Sequence, residues 1–132
     1  MNPQTLLHRQ VNPTFIRCDK TSSQAFMPTS QVFRPTPKDG SMLSVSNGDK
    51  IPADQSYQRF VTVPLGKSIG VLSVSVAECL SLEVPVVDDP TEEQPDHCFI
   101  DFRKKTNSQT EKIAAKLRNH AVTRGWSHGP IQ

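Results

Sequence analysis

The sequence has few of the residues that build large hydrophobic cores. Apolar residues fill 35% of its 132 positions and aromatic residues 6%, whereas proline occurs 11 times. A chain of this length is sufficient for one domain with one modest core. We therefore expect a single domain over residues 1–132, with a small core and long irregular connections.

Long hydrophobic runs and targeting signals are also missing. No run approaches the roughly 20 apolar residues that span a bilayer, and residues 1–10 lack the apolar core of a signal peptide. The three cysteines, Cys18, Cys79 and Cys98, are too far apart for a zinc or redox motif. These absences favour a cytoplasmic protein with reduced core cysteines, no membrane association, and no metal or cofactor.

Motifs that would name a reaction are absent. The sequence contains no phosphate-binding loop, dinucleotide glycine fingerprint, nucleophile elbow or zinc-protease pair. Its net charge of +2 is too small to imply nucleic acid, although a basic C-terminal third follows an acidic loop. The basic residues fit a solvated helix face or a surface for phosphate or an acidic partner. Nucleic-acid binding is disfavoured; it would use Lys104, Lys105, Lys112, Lys116 and Arg118.

What is present predicts an α+β fold. Apolar and polar residues alternate in strands near 6–11, 42–45, 70–76 and 97–102, which we expect to form a small mixed or antiparallel sheet. In the last strand Cys98, Ile100 and Phe102 face one way, while His97, Phe99 and Asp101 face the other. The apolar run 84–87 is split by Pro85 and suits an edge strand.

Helices are expected near 53–61 and 77–82 and, most clearly, over 108–125. The last helix has an amphipathic stripe of Ile113, Ala114, Leu117 and Ala121, and Ser108 with Glu111 fits a capping box. We expect it to pack on one face of the sheet. The long proline-rich loop over 19–41 should lie over the open side, pinned by Phe26 and Phe33.

Three residues from separate segments are candidate catalytic groups. His8 lies beside Arg9 on the first predicted strand, Glu78 follows the clearest strand, and His97 lies on the last one. A carboxylate beside a histidine from another strand would make a general acid–base pair. His97 and Asp101 are roughly 13 Å apart along an extended strand, so each needs a partner from elsewhere. Surface polar residues on a half-exposed sheet explain the same pattern.

Three cationic residues are candidates for binding an anion or a partner. Arg9 follows His8 on its strand, and Arg34 and Lys38 belong to a loop stiffened by Pro35 and Pro37. Guanidinium and ammonium groups held at a fixed spacing suit an anionic group. The same loop also fits a recognition surface for a protein, or a simple exposed turn.

Several short motifs occur in an order that resembles a family of small uncharacterised bacterial proteins. They are Leu7-His8-Arg9-Gln10, Ser22-Ser23-Gln24-Ala25-Phe26, Phe33-Arg34-Pro35-Thr36-Pro37-Lys38-Asp39, Leu43-Ser44-Val45, Gly48-Asp49, Val76-Ala77-Glu78-Cys79 and His97-Cys98-Phe99-Ile100-Asp101-Phe102. The resemblance covers most of the chain. It implies a compact bacterial cytoplasmic domain, and it implies no activity. From that setting alone we expect an association with defence or mobile-element systems.

Two functional hypotheses follow. The first is a non-enzymatic accessory or protein-binding module in a bacterial multi-protein assembly, which the missing catalytic motifs and the proline-rich loop favour. The alternative is a small enzyme for a nucleotide or phosphorylated substrate. That alternative requires His8, Arg34, Glu78 and His97 to meet in one cleft.

Overall fold

Seven strands are present in the computed structural model, which describes residues 1–17, 27–63 and 66–131. They are β1 (Leu6–Gln10), β2 (Ile16–Arg17), β3 (Met27–Pro28), β4 (Met42–Asn47), β5 (Val71–Ser75), β6 (Val86–Asp88) and β7 (His97–Asp101). Five of them form an antiparallel sheet in the order β5-β1-β4-β7-β6, and β2 pairs with β3 separately. The predicted edge strand near 84–87 is confirmed, since β6 ends the sheet.

The same described ranges contain three α-helices. They are α1 (Ala53–Val61), α2 (Val76–Ser81) and α3 (Asn107–Arg124), and short 3-10 helices cover Pro13–Phe15, Ser30–Phe33 and Pro37–Asp39. The predicted α+β fold with an antiparallel sheet and a C-terminal helix is therefore confirmed. Within the described ranges no helix combines the length and apolarity needed to cross a membrane.

One face of the sheet carries the hydrophobic core. Strand alternation sends Leu7, Val45, Val74 and Ile100 to this face, where all four are buried. Helix α3 packs against it through the predicted stripe, since Ile113, Ala114, Leu117 and Ala121 are its buried residues. The centre of the other face carries the polar side chains of His8, Ser46, Ser73 and His97, and this division of the sheet positions the candidate site.

The capping residue of α3 differs from the prediction. The Thr106 side chain accepts from the Gln109 amide, and the Gln109 side chain accepts from the Thr106 amide. The predicted box on Ser108 and Glu111 is wrong, because both residues lie inside the helix. In both pairs a hydroxyl residue is followed three positions later by a carboxylate or amide residue, and helix α3 starts at the earlier pair.

The proline-rich segment also lies differently from the prediction. Residues 18–26, including Phe26, fall outside the described residues. Val32 and Phe33 are fully buried in the core, and their 3-10 helix packs against α3. This part of the segment therefore fills the core side of the sheet, and the prediction that it covers the open side is wrong. The two apolar side chains explain the difference, because burial against α3 removes them from water.

The polar face is covered in part by α1, which contacts β1 and the edge strand β5. Its one buried residue is Ser56, whose hydroxyl accepts from Gln10 Nε2 at 3.0 Å and lies 3.3 Å from the Ser46 hydroxyl. The pairing of β1 with β4 ends at His8 opposite Ser46, whereas β1 pairs with β5 along its whole length. Helix and sheet thus leave a depression above the centre of the sheet.

Candidate functional site

A row of polar side chains crosses the open face of the sheet. Ser46 on β4 is opposite His8 on β1 and also opposite His97 on β7, and His8 is opposite Ser73 on β5. Directly opposed residues of antiparallel strands project to the same side. The two candidate histidines therefore share one face, with one strand between them.

This row forms the floor of a groove, which we call the sheet groove. Its volume is about 430 Å³. Strands β1, β4 and β7 supply the floor and α1 supplies one wall. Apart from Val45 and Val63, the lining residues are polar, cationic or aromatic: His8, Arg9, Gln10, Asn12, Phe15, Ser44, Ser46, Ser56, Arg59, Phe60, Lys67, Gln94 and His97.

His8 is held on both sides of its ring. Its Nδ1 lies 2.7 Å from the Ser73 hydroxyl, which lies 2.6 Å from that of Ser127. On the other side Nε2 is so close to Gly48 that a Cβ there would lie 3.0 Å from it. Burial lowers the pKa of His8, against smaller opposing effects of the Ile51 backbone and Asp96. His8 is therefore neutral at pH ~7 and fixes the floor of the groove.

His97 is more accessible and lies between two polar side chains. Its Nδ1 is 3.1 Å from the Asp89 carboxylate, and its Nε2 is 3.2 Å from the Ser44 hydroxyl. The Asp89 amide also donates to the His97 carbonyl at 3.0 Å, which fixes the backbone after β6 beside β7. Ser44 is exposed and the His97 side chain is 22% exposed, so solutes can reach both.

Arg9 and Arg59 hold their guanidinium groups in different places. Arg9 is opposite the core residue Leu72 and so projects to the face of the sheet away from His8, whereas Arg59 lines the groove. Arg9 donates from Nε to the Val32 carbonyl and from Nη1 to the Ser44 carbonyl, each at 2.9 Å. Burial lowers its pKa, which Asp39 partly offsets, and an arginine remains cationic regardless. Arg59 instead forms a bidentate pair with Asp96, at 2.7 and 2.8 Å.

Glu78 lies apart from the two histidines. It caps α2 in a box with Ser75, and its carboxylate also contacts Arg124 at 2.9 Å and His120 at 3.1 Å. Burial would raise its pKa, but the hydrogen bonds from Arg124 and Ser75 outweigh burial and hold that pKa below its usual value. Glu78 lines a second depression, of about 590 Å³, beside α3. Its carboxylate joins α2 to α3.

The loop cations also lie elsewhere. Arg34 pairs with Glu111 of α3 at 2.9 Å, and Lys38 is exposed on the 3-10 helix Pro37–Asp39. Neither lines the sheet groove. The expected cleft is therefore only partly formed: His8 and His97 come together, whereas the Arg9 side chain projects to the core face and Glu78, Arg34 and Lys38 lie elsewhere.

Sequence reasoning missed the two partners of His97. The alternation of its strand predicts that the Ser44 side chain points to the open face. Its closeness to His97, however, depends on the register of β4 against β7. Asp89 belongs to an acidic run that gives no reason to single it out. The register joins segments about fifty residues apart in the chain, and local patterns do not encode it.

No group of three or more metal-ligating side chains is present among the residues that the structure describes. The chain matches no family model, no curated protein and no solved structure.

Proposed function

We propose that the sheet groove binds a small anionic molecule of the nucleotide or phosphorylated class. The observation that carries the proposal is the charge of the lining. Lys67 forms no ion pair with any residue of the described ranges, while Asp96 is neutralised by Arg59. A cation that is not neutralised in a groove attracts an anionic ligand and raises its local concentration.

The remaining lining suits a ligand with a planar polar part. Phe15 and Phe60 supply aromatic surface, on which a nucleobase can stack. The Gln10 Oε1 is buried and has no hydrogen-bond partner in the described part of the chain. A buried acceptor without a partner costs free energy, which a ligand N–H would recover. A nucleoside monophosphate combines all three features.

Calorimetric titration with AMP, ribose 5-phosphate and adenosine tests this proposal. We expect AMP to bind more tightly than either fragment, because it alone uses both the Lys67 charge and the aromatic surface. Lys67→Ala should weaken AMP binding by about tenfold, as expected for the loss of one charged contact. Lys104→Ala removes an exposed lysine outside the groove and should leave binding unchanged. Equal binding of adenosine and AMP would contradict the proposal.

A second candidate is the accessory role, in which the chain binds a protein within a multi-protein assembly of the bacterial cytoplasm, in a defence or mobile-element system. Exposed apolar side chains beside the groove favour it, since Phe60 is 37% and Val63 51% exposed. Phe60 lies in the last turn of α1, and Val63 lies two residues beyond its end. Exposed apolar clusters of this kind are typical of protein contacts.

Co-purification from a bacterial lysate at modest salt tests this role. Val63→Asp should release a specific partner, because the charge would be buried on binding. Leu80→Asp is the matched control, since Leu80 is 54% exposed on α2, away from the groove. Loss of the partner with both variants, or with neither, would argue against this surface.

A further inference from the structure

We propose that Ser44 is a nucleophile, that His97 is its general base, and that the chain hydrolyses small esters. Ser44 Oγ, His97 Nε2, His97 Nδ1 and Asp89 Oδ2 form one hydrogen-bonded line, with contacts of 3.2 and 3.1 Å. A nucleophile, a base within hydrogen-bond reach and a third group that orients the base define this chemistry on unrelated folds. The inference is independent of the anion proposal, because it needs no charged ligand.

The contacts determine where the protons are. The Asp89 carboxylate accepts only, so the hydrogen of the neutral His97 ring is on Nδ1. The Asp89 carbonyl oxygen, also 3.1 Å from Nδ1, holds the ring in the same orientation. Nε2 is thus left with its lone pair directed at the Ser44 hydroxyl. This is the tautomer that removes a proton from serine.

The sheet holds these groups rigidly. Ser44 is opposite Phe99 and Ser46 is opposite His97, so Ser44 and His97 are diagonal neighbours on paired strands. Asp89 directly follows β6, and its amide hydrogen bond to His97 continues the ladder of β6 with β7. Catalytic groups on paired strands keep their geometry better than groups on free loops.

The next serine on the same face is in a different environment. The Ser46 hydroxyl lies 3.3 Å from that of Ser56, under α1, and it is half-buried. The Ser44 hydroxyl is exposed, and its described partner is His97. The Arg9 guanidinium donates to the Ser44 carbonyl at 2.9 Å, which fixes the backbone that carries the nucleophile.

The proposed reaction needs only water as a co-reactant. Ser44 Oγ bonds to the acyl carbon while its proton moves to His97 Nε2. The carbon–oxygen bond to the alcohol breaks, and the alcohol leaves with that proton. Water then attacks the acyl–Ser44 ester and passes a proton to Nε2. The bond to Oγ breaks, Ser44 regains the proton, and a carboxylic acid is released. Asp89 is a positioning residue, which stabilises the transient imidazolium.

Labelling with an uncharged fluorophosphonate, followed by peptide mass spectrometry, is the first test. The wild-type chain should carry the label on Ser44 and none on Ser46, and Ser44→Ala should carry none. Hydrolysis of p-nitrophenyl acetate gives the rate. His97→Gln should lower it by about 10²-fold, the usual contribution of a general base. Ser108→Ala, on an exposed helix surface, should keep the wild-type rate.

Two further variants test the positioning role of Asp89. The Asp89 side chain is 55% exposed, so water screens its charge. Asp89→Asn should therefore lower the hydrolysis rate by less than His97→Gln does, roughly tenfold. Asp89→Glu should restore part of the rate, which a purely structural role of the residue would not predict.

The inference is overturned if folded wild-type protein is not labelled, or if Ser44→Ala hydrolyses the ester at the wild-type rate. Circular dichroism confirms that each variant is folded, which the exposure of Ser44 leads us to expect. Labelling without AMP binding would support the esterase and refute the anion proposal. AMP binding without labelling would do the reverse.

Discussion

The ion pair between Arg59 and Asp96 attaches helix α1 to the sheet, and its removal should be costly. Arg59 donates to both carboxylate oxygens, at 2.7 and 2.8 Å. The Asp96 side chain is 5% exposed, whereas that of Arg59 is 33% exposed. Arg59→Ala therefore leaves a carboxylate with little access to water and without its two charged donors.

The magnitude follows from this asymmetry. A hydrogen bond to a charged group contributes about 1.5–3 kcal/mol, and breaking a fully buried pair costs about 3–5 kcal/mol. Since a third of Arg59 remains in water, we expect a loss of about 2–3 kcal/mol in the free energy of unfolding. With a urea slope of about 1.5–2 kcal/mol per M, the unfolding midpoint should fall by about 1–2 M.

The pH dependence follows from the pKa of Asp96. The Arg59 hydrogen bonds lower this pKa more than burial raises it. A carboxyl whose pKa is lowered by folding stabilises the folded state at pH values above its unfolded-state pKa of about 3.9. That contribution is lost as the pH falls through the folded pKa. The difference in the free energy of unfolding between wild type and Arg59→Ala should be at its full size near pH ~7 and should shrink below pH ~4.

Urea unfolding followed by circular dichroism at pH ~7 and pH ~3.5 measures both effects. Arg103→Ala is the matched control, because it breaks an arginine–aspartate pair of 3.0 Å whose arginine is 55% exposed. Its urea midpoint should stay close to that of wild type. The reasoning fails if both variants lose equal stability, or if the Arg59 effect is the same at both pH values.

Three further predictions concern stability and reactivity. Thr106→Ala should cost about 1 kcal/mol through loss of the N-cap, while Ser108→Ala changes the urea midpoint little. Burial lowers the pKa of His8, so the free energy of unfolding should fall as the pH drops below ~6.5, the pKa of a histidine in the unfolded chain. In urea titrations His8→Asn should reduce this fall. Burial raises the pKa of Cys79 and of Cys98 to about 12, so with the third cysteine replaced by serine, Ellman's reagent should react only after unfolding.

The strands and helices were predictable because each has a local cause. Alternation placed Cys98 and Ile100 in the core and His97 on the open face, and Pro52 marked the start of α1. The cap of α3 was not predictable, because two overlapping segments have the capping-box spacing.

The candidate site depended on information that is not local. His8 and His97 were recognisable as polar residues on strands, yet their common face follows from the pairing of β1 and β7 with opposite edges of β4. Glu78 was expected near a histidine from another strand, and the structure places it near His120 of helix α3. A residue after a strand can cap a helix or face a groove. Glu78 caps α2 because Ser75, three residues earlier, completes the capping box with it.

The polar face of the sheet explains why both proposals concern one groove. A part-buried polar contact such as that between Ser56 and Gln10 contributes little net stability, since its hydrogen bond replaces those to water. Helix α1 therefore depends on a few specific contacts, above all Arg59 with Asp96. A ligand that touches α1 and the sheet together would add contacts where the fold has few. It should stabilise the attachment of α1 as well as occupy the groove. Binding at this face and resistance of α1 to local unfolding should consequently rise together, which amide hydrogen exchange over Ala53–Val61 would detect.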